Sequence, residues 1–165
     1  MLFVGTYEHA IDAKQRLAIP SDIRDRLDHT EDSPAFYAVV MEGPTLCLYT
    51  EGGFDKRADE LDASRRPAAE ILLYEQMFYA NAQRIEIDKQ GRVRLPERLL
   101  ELAGLGREVV IIGVKDHLQV HNREAWKKRI SKLMAERPDL LMNPRRAMRL
   151  ETDGPEPPPQ NAPTA

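Results

Sequence analysis

Arg84-Ile-Glu-Ile-Asp88 alternates polar and apolar residues, and after three residues containing Gly91 the alternation resumes in Arg92-Val-Arg-Leu95. A period of two puts successive side chains on opposite faces of a strand. The pattern therefore predicts two strands joined as a hairpin, with the glycine in its turn. Pro96 stops the second strand and suits the first turn of a helix. The apolar face of that helix is Leu99, Leu102 and Ala103, and Gly104 and Gly106 end it. Val109 to Val114 predicts a buried strand with Leu118 to His121 as its partner. Asn122 can cap a closing helix that carries Trp126, Ile130, Leu133 and Met134 at helical spacing.

The same grammar occurs earlier in the chain. Asp12-Ala-Lys-Gln-Arg16-Leu-Ala-Ile-Pro20 returns as Asp88-Lys-Gln-Gly-Arg92-Val-Arg-Leu-Pro96, with Asp, Arg and Pro each displaced by 76 residues. At that offset Leu17 becomes Val93, Ile19 becomes Leu95 and Ile23 becomes Leu99. Farther on, Leu46-Cys-Leu48 matches Leu118-Gln-Val120 and Phe54 matches Trp126 at an offset of 72, the loop from His29 to Pro34 accounting for the change. The chain is an internal duplication. In the first copy the pattern predicts strands near Tyr7–Asp12 and Arg16–Ile19, then a helix from Pro20 with Ser21 or Asp22 near its cap. Strands Phe36–Met41 and Leu46–Tyr49 follow around Glu42-Gly43-Pro44, and then a helix from Gly53 to about Ala63. A further helix from Pro67 bears Ile71, Leu72, Tyr74 and Phe78.

A half of about 45 residues buries too little core to stand alone. The two halves are expected to intertwine into one barrel-like domain with approximate two-fold symmetry. The expected fold class is α+β and β-rich, with flanking helices. The organisation is repeat 1 over 5–51, connecting helices over 52–80, repeat 2 over 81–124 and a basic amphipathic helix over 125–149. Residues 150–165 hold five prolines and almost no hydrophobes, which predicts a disordered tail.

Composition narrows the function. The 165 residues carry a net charge of −3, which argues against a uniformly basic nucleic-acid binder. The charge is segregated, however: nine Lys/Arg face three Asp/Glu between Asn122 and Arg149, and five face three between Arg84 and Arg98. Binding to a polyanion needs cations on the contacting face only. The uncharged apolar run Val109 to Val114 is six residues, against about 20 for a membrane span. No membrane partner is expected. Met1 to Thr6 lacks the basic lead-in of a signal peptide, and the single Cys47 fits a reducing cytosol without disulfides or a thiolate zinc site.

The shared turn has a structural reading and a functional one. An Asp leaving a strand can accept backbone N–H bonds in the turn, and its Arg can pair with it while covering apolar surface. In the first copy Gln15 stands where Gly91 stands in the second, so that turn must use another geometry or accept strain. Functionally, Lys14 and Arg16, then Lys89, Arg92 and Arg94, place cations on or beside both turns. Duplicated basic projections suit a duplex, and Arg suits bidentate bonding to phosphate or guanine edges.

At these residues the chain resembles the MraZ family of bacterial transcriptional regulators, which carry two tandem SpoVT/AbrB-type swapped-hairpin units. The opening Phe3-Val-Gly5-Thr-Tyr-Glu-His9-Ala-Ile-Asp12 is similar to the family's. So are the paired Asp12-x-x-x-Arg16 and Asp88-Lys-Gln-Gly91-Arg92 motifs, Ile23-Arg24 after Pro20, and Val110-Ile-Ile-Gly113 followed by Arg123-Glu-Ala-Trp126. The likeness covers about residues 1 to 135. It implies sequence-specific binding to direct repeats in double-stranded DNA upstream of the division and cell-wall gene cluster. It also implies a ring-like homo-oligomer and a cytoplasmic, nucleoid-associated location. Arg16 and Arg92 are then the favoured DNA contacts, with Lys14, Lys89 and Arg94 beside them, while Asp12, Asp88 and Gly91 organise the turns. The apolar faces of helices 54–63, 68–80 and 124–134 are candidates for assembly.

Other chemistry is poorly supported. His117 and His121 fall on a strand, where residues four apart lie about 13 Å from one another, so no metal is expected there. Cys47 between Leu46 and Leu48 reads as a buried hydrophobe rather than a nucleophile. No nucleophile elbow or phosphate loop occurs. No catalytic residue, cofactor or small-molecule substrate is expected. The basic run from Trp126 to Arg129, with Lys132 and Arg137, reads as the solvated face of a helix. The competing function is a protein-interaction module, antitoxin-like or scaffold, whose helices bind a partner.

Overall fold

The computed structural model describes residues 2–27, 34–41, 43–62 and 68–139. In chain order its elements are β1 (Thr6–Ala10), β2 (Arg16–Ala18), α1 (Ser21–Arg24), β3 (Ala35–Met41), β4 (Thr45–Thr50), α2 (Glu51–Asp62) and α3 (Ala68–Asn81). The second half follows as β5 (Gln83–Glu86), β6 (Arg92–Arg94), α4 (Glu97–Leu102), β7 (Glu108–Val114), β8 (His117–Asn122) and α5 (Arg123–Glu136). One compact unit ends at Trp126 and a second begins at Lys127. The tail over 150–165, the segment 140–149 and most of the loop from His29 to Pro34 lie outside the described residues.

The strands expected from alternation form, but the arms of each hairpin part. Both turns close: the Asp12 amide donates to the Arg16 carbonyl at 3.0 Å and the Asp88 amide to the Arg92 carbonyl at 2.8 Å. Beyond them, β1 pairs antiparallel with β7, and β5 with β3. β2 instead pairs with β6. In the second half one isolated bridge, Ile87 to Val93, joins the arms. The expectation that the two arms of each hairpin pair with one another is thus corrected beyond the turns, while the exchange of strands agrees with the expected intertwining of the halves. Each half lends its first strand to the buried strands of the other, where the partner surface is longer and more apolar than a three-residue sister strand offers.

The expected barrel is corrected as well. The main sheet has six strands in the order β1-β7-β8-β4-β3-β5, so β1 and β5 are its free ends, and β2 and β6 make a separate two-stranded sheet. Closure fails because the chain leaves β1 and β5 through the tight Asp turns into strands of only three residues. The approximate two-fold survives in the register. Cys47 faces Gln119 at the centre of the β4–β8 ladder, and Leu17 faces Val93 at the centre of the β2–β6 ladder. Both pairs relate residues equivalent in the duplication.

One face of the large sheet and the inner face of the small one enclose the main core, which includes Leu17, Ile19, Phe36, Leu46, Leu48, Val93, Leu95, Ile111 and Leu118. On the opposite face of β3 and β4, α2 and α3 bury an aromatic set. Phe54 stacks on Tyr37 at 4.4 Å and on Phe78 at 5.3 Å between ring centroids. Pro20 and Pro96 occupy the N-caps of α1 and α4 without side-chain caps, so neither Ser21 nor Asp22 caps α1. Gly104 follows α4 at φ 60°, as a helix-ending glycine should. Leu99 and Ala103 are buried as expected, whereas Leu102 is exposed and Leu100 packs against the core instead. Asn122 caps α5 through a 3.0 Å bond from the Ala125 amide.

Candidate nucleic-acid interface

The two Asp turns are built alike. Asp12 Oδ1 accepts the amides of Lys14 and Arg16, each at 2.9 Å, and Oδ2 accepts Arg16 Nε at 2.7 Å. Asp88 Oδ1 accepts the amides of Gln90 and Arg92, each at 2.9 Å, and Oδ2 accepts Arg92 Nε at 3.0 Å and Nη2 at 2.9 Å. An aspartate leads both motifs because one short carboxylate can gather two amides and a guanidinium in five residues. The arginine amide bond is the main cause holding Asp12 and Asp88 below the ordinary carboxylate value; desolvation opposes it next, and the guanidinium and the second amide add to the lowering. Both aspartates stay ionised and organise their turns from within.

Each turn needs a left-handed residue three positions after the Asp. Gly91 supplies it at φ 76° and Gln15 at φ 61°. The first turn therefore keeps the geometry of the second and accepts the strain, the outcome favoured by so many fixed hydrogen bonds. The turns are also tied to one another. Ile19 donates its amide to the Gly91 carbonyl at 2.9 Å, and Leu95 donates to the Gln15 carbonyl at 2.8 Å.

Between the turns lies the β2–β6 ladder. Leu17 and Val93 point inward and are fully buried, so Arg16, Ala18, Arg92 and Arg94 point outward. Arg16 stands opposite Arg94 at one end, and Ala18 opposite Arg92 at the other. Like charges facing one another are unfavourable in a ladder, and the Asp12 carboxylate compensates Arg16 there. Lys14, Lys89 and Arg94 are exposed, and their side chains have no ionic or hydrogen-bonded partner among the described residues. The two lysines occupy unlike places, Lys14 two residues after its Asp and Lys89 one residue after. All five cations named from the sequence thus lie on the two turns and the ladder joining them. Arg84 is taken up by Glu51 and Glu86, each at 2.7 Å, so the positive count of that segment overstates its free charge, while Arg98 is held by the neutral Asn81 at 2.8 Å and keeps its charge. A groove of about 650 Å3 beside the ladder mixes Arg84, Arg94, Glu86 and Glu97, which does not favour a small anion.

One cation is missing from the sequence-based set. Arg24, at the end of α1, donates Nε to the Ile19 carbonyl at 3.1 Å. Its guanidinium lies over Gly91, where a Cβ would come within 2.6 Å of Nη1. The spacing of Ile23-Arg24 after Pro20 marked the residue, but its reach to the other half follows only from the exchange of strands.

The remaining histidine and cysteine expectations concern β8 and β4. Gln119 lies between His117 and His121, 3.2 Å from one Nε2 and 3.0 Å from the other, and His117 Nδ1 lies 2.8 Å from Asp116. Among the described residues no group of three or more His, Cys, Asp or Glu could hold a metal ion. Cys47 is buried, and burial pushes its thiol up to about 12, so it is not a nucleophile at neutral pH. No helix among the described residues is long and apolar enough to cross a membrane.

Comparison with known proteins adds two findings. Residues 78–142 match the family described as "MraZ protein, putative antitoxin-like". A protein of Heliobacterium modesticaldum named Transcriptional regulator MraZ is 34% identical over 127 residues, covering 77% of this chain and 85% of the relative. The protein of the same name from Mesoplasma florum is 33% identical over 76% of this chain and 84% of its own length. That of Lactiplantibacillus plantarum is 32% identical over 86% and 97%.

Proposed function

The chain belongs to the MraZ family, and from that membership we propose that it is a sequence-specific, DNA-binding regulator of transcription. Its two halves are read as swapped-hairpin SpoVT/AbrB-like units that present one composite surface to a duplex. Lys14, Arg16, Lys89, Arg92 and Arg94 contact the DNA, and Asp12, Asp88 and Gly91 hold the turns. The target is the set of direct repeats upstream of the division and cell-wall gene cluster, read by several protomers of a ring-like homo-oligomer at the nucleoid.

The observation that carries this reading is the pairing of two like-built Asp–Arg turns across the β2–β6 ladder, with Lys14, Lys89 and Arg94 exposed on those turns and that ladder and without partners among the described residues. Arg16 spends Nε on its aspartate and Arg92 spends Nε and Nη2, and both keep further guanidinium N–H donors for phosphate or a base edge. Few cations per protomer give modest affinity at cellular salt, and linked protomers on repeated sites raise it through effective concentration. The exposed Leu72, Leu73 and Met77 of α3 offer an apolar surface for such assembly.

Fluorescence anisotropy tests the reading, with a repeat-bearing duplex and a scrambled one across a salt series. Binding that prefers the repeats and weakens linearly on a log–log salt plot is expected. It should vanish in Arg16→Ala/Arg92→Ala with the oligomer intact. Equal weak binding to both duplexes overturns the reading. The α3 surface then favours the second one, a protein-interaction module.

A further inference from the structure

We propose that Arg24 is a phosphate-contacting and positioning residue of the second turn, contributed by the first half of the chain. This inference rests on the DNA-binding reading and adds a residue to it.

The argument starts from the charge state of the surface. Among the five cations already named, Arg16 and Arg92 are compensated by Asp12 and Asp88. Arg24 has no carboxylate partner among the described residues, and its one hydrogen bond uses Nε, leaving both Nη groups available. It is half-buried, so its stem is fixed by packing rather than free in solvent. A guanidinium held in place loses less side-chain entropy on meeting a phosphate than a mobile lysine does.

The second line is position. Arg24 lies against Gly91, within the turn that carries Lys89 and Arg92. Its bond to the Ile19 carbonyl sits beside the Ile19 amide bond to the Gly91 carbonyl, so one side chain clamps the point where the halves meet. A side chain on residue 91 would collide with that guanidinium, which gives glycine a second reason to be there besides its positive φ.

The third line is the broken symmetry. At the offset of the duplication the counterpart of Arg24 is Leu100, and the counterpart of Gly91 is Gln15. Only one turn therefore combines a bare glycine with a guanidinium laid over it. The cation that accompanies the first turn is Arg94, exposed on the ladder opposite Arg16.

The test compares Arg24→Met, Arg24→Lys and the parent in the full chain, by anisotropy on the repeat-bearing and scrambled duplexes over a salt series. Met keeps an apolar stem over Gly91 and removes the charge. It is expected to make the log–log salt slope shallower by about 0.9 per protomer bound. Affinity should fall about tenfold at physiological ionic strength, the scale of one charge-assisted bond. Lys keeps the charge and should retain the parent slope while losing part of the preference for the repeats. A slope is insensitive to the fraction of active protein, so a partial folding defect cannot mimic this result. Parent slope and affinity in Arg24→Met overturn the phosphate contact. Full repeat preference in Arg24→Lys overturns the positioning role. If the parent itself shows no salt-dependent, repeat-preferring binding, the functional reading fails and takes this inference with it.

Discussion

Gln15 and Gly91, 76 residues apart, hold the same left-handed backbone conformation, at φ 61° and φ 76°, and each gives its carbonyl to an amide of the other half. The conformation costs a non-glycine residue about 1–2 kcal/mol, and the first turn bears that cost where the second does not. Gln15→Gly removes it, at the expense of about 0.5–1 kcal/mol in unfolded-chain entropy. The variant should therefore melt slightly above the parent. Gly91→Gln should melt well below it, because the new Cβ meets both the positive φ and the Arg24 guanidinium. Thermal denaturation followed by circular dichroism checks both; a stabilised Gly91→Gln would contradict the conformational account.

Acid sensitivity follows from the two turn carboxylates. Both have folded values below the ordinary carboxylate range, chiefly through the arginine amides. Their contribution is fully present above the unfolded value of about 4 and is lost as pH falls through the lower folded value. Asp12→Asn/Asp88→Asn keeps an acceptor for the amides and removes the charge. Its stability should fall less steeply than the parent's below about pH 4, as read from urea unfolding at a series of acidic pH values. Parallel curves for the two proteins would count against this assignment.

The duplication and most strands were legible because the Asp, Arg and Pro positions recur with their apolar neighbours. What alternation does not encode is the partner. Tyr7 and His9 share a face whichever strand lies beside them, so pairing of β1 with β7 was invisible, and with it the open sheet. α3 shows a related limit. With Leu73, Met77 and Tyr79 added to Ile71, Leu72, Tyr74 and Phe78, the helix is apolar almost all round, and period alone could not tell that Phe78 is buried while Leu72 is exposed. The turn cations were legible from composition. The place of Arg24 at the second turn is not legible in sequence because its contact crosses between halves, and Gln15 is legible as an anomaly without the sequence deciding between another geometry and strain.

His9 supplies a second pH dependence of the same sense but at higher pH. Burial first, and the nearby Arg123 charge second, lower its folded value below the ordinary 6.5. Its backbone carbonyl also accepts Arg123 Nη2 at 2.9 Å, which fixes the two in proximity. The unfolded chain then takes up a proton before the folded one does. Stability should be complete above about pH 6.5 and decline below it until the folded imidazole also titrates. His9→Gln should remove that part of the decline between about pH 7 and pH 5. Chemical denaturation of both proteins across the range decides; an unchanged decline in the variant assigns it to other groups.

Leu17 and Val93 face one another at the centre of the β2–β6 ladder, each fully buried in the core that both halves share. Leu17→Ala should cost about 2–5 kcal/mol. Because the pair is in contact, the double variant with Val93→Ala should differ from the sum of the single losses by about 0.5–3 kcal/mol. The main core draws on both halves, so the loss should appear as an earlier transition and not as a second one. Urea unfolding followed by far-UV circular dichroism and by fluorescence of Trp126, the single tryptophan, should give coincident curves in the parent and in Leu17→Ala. Separate transitions would mean that the halves fold independently despite their exchanged strands.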